Sequence, residues 1–209
     1  EGGELSPDLR RLVRVAVDAS NGGVGRVHIL DRRIDGAILM ELFTRDGVGT
    51  LVAARSFDTL RRATVDDVGG ILELIEPMER DGTLVRRSRE LLETEIDCFT
   101  VLEREGTVVA CAALYPMPDA PVGELACLAV HGEYRGGGRG DQLLERVEQQ
   151  ARSVGLEALF VLTTRTAQWF QERGFKPAGL DDLPVSRRGL YNYQRGSRVY
   201  LKRLQSAPV

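Results

Sequence analysis

Lysine and histidine are nearly missing from this chain: the only lysines are Lys176 and Lys202, and the only histidines are His28 and His131. Neither lysine follows a glycine loop, so a nucleotide site of the form G-x-x-x-x-G-K-S/T is excluded. Cysteine is sparse too. Cys98, Cys111 and Cys127 are odd in number, lie in apolar stretches and have no CxxC spacing, which suits a reducing compartment and provides no zinc framework. No apolar run reaches the roughly 18 residues of a membrane span, and the start EGGELSPDLRR has no signal-peptide core. The expected location is therefore the cytoplasm, with no membrane partner. There is no excess of positive charge: the formal net charge is -3, which argues against a nucleic-acid partner held by the bulk field and makes any anion site a local one. What is present is enough for a real core, with 43% hydrophobic and 28% charged residues in a chain of 209. That length allows one generous domain, or one ordinary domain and a fragment.

The chain opens crisply. Ser6 can cap, Pro7 suits the first helical position, and Leu9, Leu12, Val13, Ala16 and Val17 fall at helical spacing. Residues 26–30 (RVHIL) read as a strand, 35–44 as a helix, and the glycine turn RDGVGT leads into Leu51–Ala53. Strands and helices in alternation imply a parallel sheet, yet about fifty residues cannot cover both its faces. This stretch, residues 1–54, reads as the tail of a larger domain, joined near Ala54 to Thr59 to a second unit of residues 55–209. There RRAT suggests a first strand, Val65, Val68, Ile71, Leu72 and Ile75 a helix, and Ser88 the cap of another. FTVLERE, GTVVACAALYP and GELACLAVH suit an antiparallel meander. Tyr191 to Tyr193 and SRVYLKRL read as one or two closing strands.

Chemistry concentrates where the apolar strand ELACLAV runs into Arg135-Gly136-Gly137-Gly138-Arg139-Gly140 and then directly into an amphipathic helix. Glycines let a ligand approach the backbone, and free amides at a helix N-terminus offer donors and a positive dipole end to an anion such as a pyrophosphate. By spacing alone such a cluster also reads as a plain turn or an RNA-binding tail. Strict alternation along the strand puts Glu124, Ala126, Leu128 and Val130 on one face and Leu125, Cys127, Ala129 and His131 on the other.

Taken in order, this strand, R-x-x-G-x-G (Arg135, Gly138, Gly140), helix, strand and a helix ending in W-F-x-x-x-G-F (Trp169 to Phe175) resemble the GCN5-related N-acetyltransferase superfamily over roughly Arg61 to Leu204. LVRRSRE (84–90), GELACLAV (123–130), LTTRTAQWFQERGF (162–175) and LPVSRRGLYNYQRGSRV (183–199) are similar to the bacterial N-acetylglutamate synthase family within it. The first segment, RVHILDRRIDGAILMELFTRDGVGT, resembles the end of the amino-acid-kinase-like domain that precedes the acetyltransferase in that family. The resemblance implies an α+β fold, a mixed sheet flanked by helices and preceded by a partial parallel α/β segment. It implies transfer of an acetyl group from acetyl-CoA, with no metal, to the α-amino group of L-glutamate, as the entry step of arginine biosynthesis. In the full-length protein it implies an arginine effector and a homo-oligomer.

The resemblance also implies roles. Arg135 to Gly140 would take the pyrophosphate, while Cys127, Leu128, Ala129 and Val130 line the acetyl arm. Glu124 would be the general base, acting by direct attack of the amine rather than through an acyl-enzyme on Cys127. Arg87 and Arg195 with Ser197 would hold the carboxylates, since a guanidinium fork pairs bidentately with them. Thr163 would bond substrate or developing charge. The tyrosine that many members use to protonate the leaving thiolate has no counterpart in TAQWFQERGF; Tyr191 and Tyr193 are substitutes that nothing in the spacing places at the sulfur, so the acid stays open. Two other readings stand beside this one: an acetyltransferase for a polyamine, peptide or drug amine, and a noncatalytic acyl-CoA-binding module.

Overall fold

The computed structural model describes residues 6–44, 47–53 and 58–204, and the chain divides into two units, Glu1–Phe57 and Asp58–Val209. Most of the expected joint, residues 54–57, lies outside the described residues, as do Arg45 and Asp46 of the glycine turn.

In the first unit α1 (Pro7–Asn21) begins as expected: the Ser6 hydroxyl accepts the Leu9 amide at 3.3 Å, with Pro7 at the first helical position. Then follow β1 (Arg26–Ile29), α2 (Ala37–Phe43) and β2 (Thr50–Ala53). The expected parallel pairing is corrected: β1 and β2 run antiparallel, Arg26 opposite Ala53 and Ile29 opposite Thr50. The physical reason is Glu41. Its carboxylate accepts the Val48 and Gly49 amides at 2.8 Å each and meets His28 Nδ1 at 2.6 Å. The chain leaving α2 is thereby fastened beside β1 and enters β2 next to the end where β1 stops. The alternation rule carries no information about such a fastening.

The second unit is one mixed sheet in the order β3-β4-β5-β6-β7-β9-β8. Its strands are β3 (Asp58–Arg62), β4 (Phe99–Arg104), β5 (Thr107–Pro116), β6 (Val122–Val130), β7 (Ala158–Thr163), β8 (Lys176–Ala178) and β9 (Arg198–Arg203). The meander β4-β5-β6 is antiparallel as read from the sequence, and β6-β7 is the parallel join. Tyr191 to Tyr193 lie in the connection before β9 rather than in a strand, and β8, only three residues long, had no periodicity to announce it.

Helices α3 (Val68–Arg80) and α4 (Arg89–Thr94) cover one face through Ile71, Leu74, Ile75 and Leu92. Helices α5 (Arg139–Ser153) and α6 (Ala167–Glu172) cover the other through Leu143, Leu144, Val147 and Phe170. Central β5 is buried on both faces from Val108 to Leu114. Its run Ala110-Cys111-Ala112-Ala113 is small enough to admit helices from both sides. The short helix α7 (Val185–Arg188) completes the set. Arg61 ties β3 to the start of α3, bonding both Asp67 oxygens at 2.7 Å and Glu103 at 2.8 Å. Among the described residues no helix is long and apolar enough to cross a membrane.

Candidate active site

The site is set by where two strands part. The parallel ladder between β6 and β7 has three pairs, Val122 with Ala158, Gly123 with Leu159 and Glu124 with Phe160, and stops there. Yet β6 runs on to Val130 and β7 to Thr163. Beyond Glu124 the sheet opens as a V, and the β6 backbone from Cys127 to Val130 borders it.

Strict alternation along β6 does not hold, and the expected faces are corrected. Ala126 lies opposite Ala113 and Ala129 opposite Cys111, so β6 takes three steps where β5 takes two. The extra residue is absorbed at Cys127, whose φ of 51° lies in the left-handed region. This is a β-bulge. Before it Leu125 packs with the α5 cluster; after it Leu128 and Val130 turn to that side while Cys127 and Ala129 join the α3 cluster. Glu124, Ala126, Cys127 and Ala129 therefore share the face that holds α3 and α4. The Cys127 thiol is buried beside Cys111, whose Sγ donates to the Cys127 carbonyl at 3.5 Å. Contact with Cys127 and burial push the Cys111 thiol up, while the same contact, with Arg87 and against burial, draws the Cys127 thiol down; Cys127 is buried at the bulge, with Cys111 bonded to its carbonyl.

Gly136 and Gly138 have φ of 81° and 74°, a conformation side chains resist, and together they turn the chain into α5. No side chain caps the α5 N-terminus, in contrast to α1 and to α4, where Ser88 accepts the Leu91 amide. Its first amides are left for an outside acceptor. Gly140 faces Trp169, and a Cβ there would come within 3.1 Å of the indole. The two arginines of the loop part company. Arg135 is exposed, with Nε on the Val130 carbonyl at 3.3 Å. Arg139 turns inward to Asp58 at 2.9 Å and to the Tyr134 carbonyl at 3.1 Å, so its charge is already matched.

The residues expected to hold carboxylates come together from distant parts of the chain. Arg195 Nε donates to Ser197 Oγ at 3.2 Å, and its Nη2 to the Thr83 carbonyl at 2.6 Å, in the loop that carries Arg87. Burial, and after it the Arg87 charge, holds the Arg195 guanidinium below its ordinary pKa. Among the described residues neither guanidinium lies within 4.0 Å of a carboxylate, although Glu79 Oε1 accepts the Arg87 backbone amide at 2.9 Å and Glu95 acts on the Arg87 charge from farther off. Two half-buried guanidiniums of one sign are held close with carbonyls and hydroxyls as their direct partners, and Glu95, reached through Tyr115, is the carboxylate that acts on Arg87; an anion placed directly on the pair would be matched by both charges.

Glu124 and Thr163 are both engaged. Glu124 is gripped by Arg187 of α7, Nε to Oε2 at 2.5 Å and Nη2 to Oε1 at 3.1 Å. The Thr163 hydroxyl accepts the Thr166 amide at 3.1 Å and meets Thr166 Oγ1 at 2.9 Å, which holds the start of α6. Sequence reasoning missed Arg187 and Tyr115. Tyr115 lies directly opposite Glu124 on β5, and its hydroxyl donates to Glu95 at 2.6 Å. Burial first, then that contact, pushes the phenol well up. Strand ends gave a faint signal for Tyr115; nothing separated Arg187 from the other arginines.

Residues 68–175 match the family described as Acetyltransferase (GNAT) family. The amino-acid acetyltransferase of Pseudomonas putida is 57% identical over 209 residues, covering 96% of this chain and 48% of that protein. That of Ectopseudomonas mendocina is 60% identical over 193 residues, 92% of this chain and 45% of that one. Among solved structures, N-acetylglutamate synthase from Neisseria gonorrhoeae complexed with coenzyme A and L-arginine is similar with a TM-score of 0.80 and 43% identity, covering 97% of this chain and 46% of that chain. The same synthase complexed with coenzyme A and N-acetyl-glutamate gives 0.70 and 44%, covering 97% and 48%. The chain spans about half the length of the curated relatives it matches.

Proposed function

The chain belongs to the GNAT acetyltransferase family, and from that premise we propose that it moves the acetyl group of acetyl-CoA to the α-amino group of L-glutamate. The observation that carries this reading is the pair Arg87 and Arg195, two guanidiniums held together with Ser197 and without a carboxylate in direct contact with either. A dicarboxylate amino acid supplies what they lack. A polyamine would be repelled, which sets aside the other-amine reading in its polyamine form.

Acetyl-CoA fits what the chain offers. The uncapped α5 amides and the glycines Gly136, Gly137 and Gly138 suit its pyrophosphate, with Arg135 at the rim, and the β6 backbone from Cys127 to Val130 suits its extended arm. When bound it supplies the activated acyl carbon. Arg139 contributes here by fixing the loop against β3 through Asp58. Gly140 contributes by letting α5 lie against Trp169.

The remaining chemistry is a proton problem. The substrate amine is an ammonium at pH 7 and is no nucleophile until a base takes a proton. Glu124, at the point where the strands part and on the Arg87 face of the sheet, is that base. Arg187 occupies both its oxygens in part, so the proton is passed by a bridging water. Thr163 keeps the β7 end and the start of α6 in place, and its hydroxyl borders the cleft. A thiol-release assay with acetyl-CoA against a panel of amino acids tests the reading. Release that depends on L-glutamate and is weak with glutamine is expected; equal release with uncharged amino acids, or none above hydrolysis, would overturn it.

A further inference from the structure

Between β8 and β9 the chain passes through residues 179–197, which carry α7 and end in Arg195 and Ser197. Polar contacts fasten this segment to β6 and to the loops around it. The Ser186 amide and hydroxyl donate to the two Asp119 oxygens at 2.9 and 2.6 Å, Arg187 grips Glu124, and Arg195 holds the Thr83 carbonyl. Apolar packing contributes little at its tip, where Val185 is 77% and Leu190 76% exposed although Leu183 is buried. The Arg187–Glu124 pair stands apart from the surface pairs of the molecule because its side chains are only 21% and 12% exposed. Arg187 uses three donors at once: Nε and Nη2 on the carboxylate and Nη1 on the Leu190 carbonyl at 3.3 Å. That fork fixes both the rotation of the carboxylate and the course of the segment. Tyr115, facing Glu124 from β5, does not compete, because its hydroxyl is committed to Glu95.

We propose that Arg187 is a positioning residue for acetyl transfer: it holds the Glu124 carboxylate at the mouth of the V and ties to β6 the segment that presents Arg195 and Ser197. One ion pair then sets the proton acceptor and the carboxylate site together. The inference rests on the glutamate acetyltransferase reading above. In the absence of Arg187 the carboxylate turns freely and the segment is left with Ser186 on Asp119 and Met117 and with Arg195 on Thr83. A lysine keeps the charge but lacks the fork.

The test uses the whole chain with Arg187→Gln, Arg187→Lys, Glu124→Gln and the double variant Arg187→Gln/Glu124→Gln. Arg187→Gln should lower kcat about tenfold or more and raise the glutamate KM, with the acetyl-CoA KM changed less than about twofold. Arg187→Lys should restore part of the KM and little of kcat. The double variant should be no slower than Glu124→Gln within about threefold, because a residue acting through Glu124 has nothing left to position. Multiplying losses in the double variant, or KM values that rise together for both substrates, would overturn the proposal. Hydrogen exchange without substrates gives a second arm. Amides of residues 180–196 should exchange faster in Arg187→Gln and in Glu124→Gln alike, while β4 and β5 stay protected. Unchanged exchange in either variant would overturn the tie. If the wild-type chain releases no thiol with glutamate, the functional reading falls and the reaction role of Arg187 falls with it, and the exchange arm alone decides whether the pair holds the segment.

Discussion

Glu124→Gln removes proton acceptance and part of the Arg187 grip at nearly unchanged size, so kcat should fall on the order of 10²-fold or more while acetyl-CoA binding is kept. Partial rescue at high pH is expected in a stopped assay, and an unchanged rate at pH 7 would take Glu124 out of the mechanism. Arg87→Ala and Arg195→Ala should each raise the glutamate KM with little change for acetyl-CoA, since a lost charge-assisted pair costs roughly 1.5 to 3 kcal/mol. Equal damage to both substrates would mark these arginines as supports of the fold. Asp67 gives a pH-dependent case. Arg61 holds its carboxyl at about 2, below the roughly 3.9 of an unfolded aspartate, so the stabilisation is complete above about pH 4 and is lost as pH falls toward 2. Asp67→Asn should therefore be less stable at pH 7 by about 1 to 3 kcal/mol, and urea melts at falling pH should show the gap closing. A gap independent of pH would assign the loss to packing. At this scale the sequence was a poor guide unaided. Arg87, Arg195 and Ser197 were picked out by resemblance, because type and spacing do not single out one arginine among many. Arg187 escaped even so, since its partner lies 63 positions away.

Elements were far more legible. Caps have local causes, and Ser6 and Ser88 bond the amides their positions suggested. The meander followed from turn signals at Gly106 and at the loop before Gly123. Strand faces failed at one place, Cys127, because a bulge depends on how two strands are matched and a single strand's period cannot report it. The glycine loop was legible because its backbone needs are local: Gly136 and Gly138 adopt positive φ. Valine at Gly138 and Gly140 should abolish the gain in Tm that acetyl-CoA gives the parent, since a side chain at Gly138 distorts and obstructs the turn before the α5 amides and one at Gly140 pushes α5 off Trp169. The double variant also crowds Trp169, so the quantity to read by differential scanning fluorimetry is the shift on adding acetyl-CoA rather than Tm itself. Gly138→Val alone keeps the assay sound if the double variant melts early. A shift equal to the parent's would remove the loop from cofactor binding.

Across the whole molecule the two units call for different expectations. The first leaves Ile38, Leu39, Leu42 and Phe43 of α2 between 63% and 80% exposed, an apolar face with little to cover it inside a two-stranded unit. Light scattering should show self-association of this chain and a monomer for one beginning at Asp58; a monodisperse monomer for the longer chain would overturn this. Glu41, with His28 and the amides of Val48 and Gly49, lies in the segment whose sequence resembles the end of an amino-acid-kinase-like domain, a resemblance that implies at most part of an arginine site here. The chain covers about half of its relatives, and we expect that acetylation by these 209 residues is unchanged in an arginine titration. Saturable inhibition would show a complete site. The second unit holds one more consequence, in its three-pair join between β6 and β7. On one side of that join stand four strands in antiparallel order and on the other side three, so the sheet is two stiff panels stitched along a short seam that opens at the proposed cleft. Under load such a body tears first along its stitching. Pulled apart in an optical trap by handles on β5 and β9, it should yield at the seam at low force. If acetyl-CoA seated in the V reaches both panels, its addition should make the tear start later.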